Sequence, residues 1–155
     1  MNPSVFILLS CLSCGLLVSG CATAPTPKQE AIAASSVRIA TVAYITRGKT
    51  AVEQADRAGH IFNITKQLRA YITENGNVVV NLNALAGLAN QKIMASTLSA
   101  NDKQLAQAIV TEALFIAEDQ ARMVEVNVGA ANAALVRQMF TEIERAAWIF
   151  IPSQI

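Results

Sequence analysis

No Lys, Arg, Asp or Glu occurs before Lys28, so all twelve basic and all eleven acidic side chains lie in the remainder of this 155-residue chain. That asymmetry constrains the fold more than any other feature. An uncharged amino-terminal stretch and a charged body must meet different surroundings, and only the body has the mixture a water-soluble core requires. The body is long enough for one domain with a real core. It is rich in alanine and aliphatic residues, with seven glycines and four prolines in the whole chain. Alanine is the best helix former, so the expected class is all-α: a compact bundle of four to five helices. The net charge of +1 argues against a nucleic-acid partner, which calls for a basic patch to meet phosphates.

Within the uncharged stretch, Val5 to Val18 is a continuous run of apolar and small residues. It falls short of the roughly 20 residues a stable helical span needs. It suits the apolar region of a secretory signal, about 7–15 residues long. A retained membrane helix and a buried core segment are the rival readings. A cleaved signal is preferred to both.

Val18-Ser19-Gly20-Cys21 follows the run. These four residues resemble the lipobox of bacterial lipoproteins: an aliphatic residue, a small residue, Gly or Ala, then the lipid-accepting Cys. The resemblance implies cleavage between Gly20 and Cys21, a diacylglyceryl thioether on Cys21, and acylation of the new amino terminus. It covers the targeting segment alone, and no family is recognised for the rest. The expected organisation is a signal peptide at 1–20, a lipidated cysteine and tether at 21–27, and a helical domain at 28–155. In Gram-negative members of the class, an Asp after the cysteine favours retention at the inner membrane. Ala22 therefore implies the outer membrane, facing the periplasm.

Cleavage would also remove Cys11 and Cys14, whose C-x-x-C spacing otherwise suits redox or zinc chemistry. The remaining chain then keeps one cysteine, occupied by lipid, and no intramolecular disulfide. Ala22 to Pro27 carries two prolines and reads as an extended linker reaching roughly 20 Å.

Helical periodicity begins at Lys28. Ala31 to Ile45 has Arg38 as its only charge and reads as a helix buried on most sides; a membrane-active or partner-binding helix is the alternative. Thr46 to Thr50 is a polar break. Ile61, Ile64, Leu68 and Ile72 then form one stripe, with Glu53 and Arg57 at i,i+4 outside it. Val78-Val79-Val80 is too short and isolated to imply a sheet, and is expected to be a packed connector. Asn81 or Asn83 caps a helix with Leu85, Leu88 or Ala89, and Ile93 inward. Ser99 and Asp102 resemble a capping box opening a helix with Leu105, Ile109, Ala113, Ile116 or Ala117, and Met123 inward. Gly129 separates it from a last helix through Leu135, Met139, Ile143, Ala147 and Phe150, which Pro152 ends. No heptad pattern runs through these breaks, which disfavours a long coiled coil.

The chemistry-bearing residues form no recognisable constellation. His60, the single histidine, lies one turn after Asp56; a surface histidine beside carboxylates is a better reading than a metal ligand, since zinc sites commonly take several histidines or cysteines. Glu118 with Arg122 and Glu142 with Arg145 read as solvated ion pairs. Glu112, Glu118, Asp119, Glu125, Glu142 and Glu144 could suggest a general acid/base pair, but a wall hydrolase would need two acids facing one cleft and nothing in their spacing favours that. Loss of an activity on mutating one acid, such as Glu112, would mark one. No nucleophile elbow, phosphate loop or dinucleotide fingerprint occurs. No catalytic residue, metal site or cofactor is expected. Trp148 and Phe150 belong to an apolar carboxyl end that either closes the core, the preferred reading, or anchors a partner.

The expectation is therefore a membrane-anchored, non-enzymatic binding or structural module of the cell envelope, whose partners are the membrane through Cys21 and another envelope protein. A periplasmic carrier of a small apolar ligand or lipid is one alternative, and a phage- or plasmid-encoded exclusion lipoprotein is another.

Overall fold

The computed structural model describes residues 27–48, 50–74, 79–122 and 130–152. Among the described residues there are five helices: α1 (Pro27–Thr46), α2 (Ala51–Glu74), α3 (Leu82–Ala95), α4 (Ala100–Arg122) and α5 (Ala133–Trp148). The all-α bundle is as the composition predicts. Two short strands, β1 (Val79–Asn81) and β2 (Ala130–Asn132), pair antiparallel with Val80 opposite Ala131. This corrects the reading of the valine run as an unpaired connector. Its partner is an alanine–asparagine segment with little β propensity, so the pairing is set by tertiary position. The ribbon ties the chain entering α3 to the chain entering α5.

Four of these helix starts have a local cause. Pro27 is the first residue of α1, where its missing amide hydrogen costs nothing. Thr50 and Glu53 form a reciprocal capping box for α2: the Thr50 amide donates to Glu53 Oε2 at 3.1 Å, and the Glu53 amide donates to Thr50 Oγ1 at 3.2 Å. Asn81 caps α3 by accepting from the Ala84 amide at 3.0 Å. Ser99 accepts from the Asp102 amide at 3.2 Å, as the predicted cap of α4 requires, and its hydroxyl donates to Asp102 Oδ2 at 2.9 Å.

The predicted stripes are inward. Ile61, Ile64, Leu68 and Ile72 on α2, Leu85, Ala89 and Ile93 on α3, Ile109, Ala113, Ile116 and Ala117 on α4, and Met139, Ile143 and Ala147 on α5 are buried. Leu105 and Leu135 are half-buried against the same core. Met123 and Gly129 lie outside the described residues.

α5 is the central helix. It packs against α1 and α2, and these two touch each other far less than either touches α5. Its burial extends well around its circumference, taking in Val136, Phe140 and Ala146 beside the predicted stripe. The order through the molecule is α1, α5, α2, with α4 against α1 and α5 and α3 against α4.

α1 departs from its expected burial. Ala33, Ala34, Val37, Thr41, Tyr44 and Ile45 face the core, whereas Ala31, Ile32, Ser35, Ile39, Ala43 and Thr46 face outward. From Ala31 to Thr46 the helix has Arg38 as its only charge, with apolar and small residues on both sides, so its sequence does not show which side is covered. Gly48 closes the α1–α2 turn, donating its amide to the Ile45 carbonyl at 3.0 Å. A Cβ there would meet the Gln54 backbone nitrogen at 2.9 Å, so the turn needs glycine for close approach.

Candidate functional site

The carboxyl end of α5 carries the most exposed aromatic surface of the described residues. Trp148 is 63% exposed and Ile149 74%. The Trp148 ring lies 5.6 Å from the Phe62 ring of α2 at a tilt of 42°, and Lys66 Nζ sits 6.0 Å above Phe62. The tilted aromatic pair and the cation beside it form an amphipathic surface open to solvent. Phe150 and Ile151 turn back onto the core, helped by the Phe150 amide donating to the Ala147 carbonyl at 3.0 Å. The two predicted anchor residues therefore divide: Phe150 helps close the core, and Trp148 does not. The preferred reading of the whole cluster as a core-closing terminus is corrected on Trp148. The chain turns just after Trp148, which leaves the indole on the α2 flank.

Glu142 and Glu144 are buried, not solvated. Glu142 is 5% exposed, and its carboxylate takes Arg38 of α1 on one oxygen and Arg145 Nη1 on the other at 2.8 Å. Glu144 is met from α2 by a bidentate Arg69, Nε to Oε1 at 2.9 Å and Nη2 to Oε2 at 2.8 Å. Residues two apart on a helix point to nearly opposite sides, so the two acids reach the two helices that flank α5. Their oxygens are held by guanidinium groups and they face no common cleft, so they do not make the acid pair a glycosidase needs.

A third charged cluster joins α1, α2 and α4. Arg57 Nη2 lies 2.9 Å from Asp102 Oδ1 and its Nη1 donates to the Tyr44 carbonyl at 3.2 Å. Its guanidinium also stands over the Tyr44 ring at 5.7 Å. Burial, and then the Asp102 charge, push the Tyr44 hydroxyl above the usual tyrosine range. The expected i,i+4 partnership of Arg57 with Glu53 is thus superseded by long-range contacts of the guanidinium. The cluster is structural in character, since it is closed off between helices.

His60 Nε2 lies 3.1 Å from Thr97 Oγ1 and 3.5 Å from Asp56 Oδ1. A hydroxyl–imidazole–carboxylate relay needs its two partners on opposite ring nitrogens. Here both address the same nitrogen. Among the described residues no three His, Cys, Asp or Glu side chains converge as a metal site would require. Glu112 is half-buried on α4, and burial raises its pKa.

A groove of about 350 Å³ runs between α3 and α4, lined by Ala89, Asn90, Ile93, Gln107, Val110 and Thr111 among others. The Gln107 amide donates to Asn90 Oδ1, and the amide and hydroxyl groups make its lining mixed.

Gly20 and Cys21, with the whole of 1–26, lie outside the described residues, as do Arg122's side chain and Glu125. Among the described residues no helix is long and apolar enough to cross a membrane. No family model, curated protein or solved structure matches the chain.

Proposed function

We propose that the protein is a lipid-anchored envelope protein, cut before Cys21, whose helical domain acts as a non-enzymatic binding module. The anchor rests on the lipobox-like Val18-Ser19-Gly20-Cys21, and Ala22 favours the outer membrane facing the periplasm. The observation that carries the binding role is the exposed Trp148 beside Phe62 and Lys66. Exposed tryptophan is enriched at interface hot spots, and one backed by a fixed aromatic neighbour needs little ordering on contact. The partner expected is another envelope protein.

The test has two parts. The intact mass of membrane-extracted protein reads the anchor: loss of residues 1–20 plus acyl groups, abolished by Cys21→Ser, is the expected result. A photo-crosslinker at residue 149, used in intact cells, reads the binding role. A discrete cross-linked protein that disappears with Trp148→Ala is expected. An unprocessed, lipid-free mass sinks the anchor; no discrete adduct at 149 sinks the binding surface.

A further inference from the structure

Between Lys28 and Arg47 the centre line of the outward face of α1 carries no charged side chain. Ile32, Ser35, Ile39, Ala43 and Thr46 lie along it, between Lys28 and Arg47, which are both exposed. Arg38 stands on its flank and is drawn toward Glu142 of α5. The hydroxyls on this face are already satisfied: Ser35 Oγ donates to the Ile32 carbonyl at 2.8 Å and Thr46 Oγ1 to the Val42 carbonyl at 2.9 Å. Such a face makes few demands on water. Ile39 is 60% exposed at its centre.

The residues from Ala22 to Thr26 alone separate Cys21 from the start of α1. Fully extended, that link spans roughly 20 Å, less than the roughly 30 Å length of α1 itself. If Cys21 carries lipid, α1 is the helix held nearest the bilayer. Its two terminal cations are placed to meet anionic headgroups, while the uncharged stretch between them meets the acyl boundary.

We propose that the outward face of α1 rests on the lipid surface in which Cys21 is anchored. This inference rests on the lipoprotein reading. It gives the domain a fixed attitude: α1 lies on the membrane, α5 above it, and α2 with Phe62 and the Trp148 patch on the side away from the lipid. A single interfacial face is too weak to bind alone, and the acyl chains supply the local concentration that lets it settle.

The experiment uses the full-length lipidated protein reconstituted in vesicles of phosphatidylethanolamine with a minor share of phosphatidylglycerol. Two single-cysteine variants carry an environment-sensitive fluorophore, Ile39→Cys on α1 and Gln67→Cys on the exposed side of α2. Flotation reports anchoring independently of the probe. The expected result is blue-shifted emission at 39 with several-fold stronger quenching by brominated lipid than at 67. Equal, water-like emission at both positions in floating protein overturns the proposal and leaves the anchor standing. A blue shift at 39 that depends on protein density and not on brominated lipid also overturns it, because a second copy then covers the face. Protein that does not float overturns the lipoprotein reading, and this proposal with it.

Discussion

Arg69 and Glu144, 75 residues apart in the chain, meet fork to fork across the α2–α5 interface through two hydrogen bonds of 2.9 and 2.8 Å. The carboxylate is nearly buried, while the guanidinium side chain keeps 39% of its exposure. Removing the arginine leaves an uncompensated charge against the core. Arg69→Ala is expected to destabilise the domain by about 1–3 kcal/mol, less than a fully buried pair would lose because the arginine is partly solvated. Arg69→Ala combined with Glu144→Gln should recover part of that loss. Urea unfolding of the four species checks it, and additive effects would show that the two side chains do not work as a unit.

The glycines predict opposite signs. At Gly48 a methyl group would press on the Gln54 backbone, so Gly48→Ala is expected to cost about 1–3 kcal/mol. At Gly87, within α3, nothing lies within 4 Å of the added carbon, and Gly87→Ala should stabilise by about 0.5–1 kcal/mol. Thermal denaturation of both variants is the measurement. A stabilising Gly48→Ala would mean the α1–α2 turn is looser than described.

Glu112 carries a pKa raised by burial. The folded state then holds the proton more tightly than the unfolded chain, so stability falls as pH rises from the ordinary glutamate range through the raised value. Glu112→Gln removes this penalty. The variant should be more stable than the parent at neutral pH, with the advantage shrinking below the ordinary carboxylate range. Melting curves across that interval check the sign. A gain independent of pH would assign the effect to packing instead.

Trp148→Ala should change stability by less than about 1 kcal/mol, since most of the indole is already in water. The cross-link expected at residue 149 should nevertheless vanish. A large loss of stability would return Trp148 to the core-closing role.

What the sequence makes legible follows physical lines. Stripes such as Ile61, Ile64, Leu68 and Ile72 contrast with polar neighbours, and they are buried where expected. Local caps such as Ser99 with Asp102 depend on residues three apart and were readable; the equally local Thr50–Glu53 box has the same signature and could have been read. Side chains whose partners are distant were not. Nothing near Glu142 or Glu144 announces Arg38 or Arg69, so spacing alone suggested a solvated Glu142–Arg145 pair and no partner for Glu144. The exposed face of α1 was hidden for the opposite reason, because apolar and small residues occupy both sides of the helix and Arg38 is its only charge after Glu30. The candidate site was half visible: Trp148 stands out by composition, but Phe62 and Lys66 join it only through the packing of α2 on α5.

The position of α5 bears on the order in which the chain can be assembled. The helix on which α1 and α2 both pack follows them in the chain, so neither finds its main partner until residues 133–148 have been made. A nascent chain lacking residues 133–148 has no centre around which to condense. If the amino terminus is addressed to an export channel, as proposed, that delay is useful: the earlier helices remain threadable until residues 133–148 have followed.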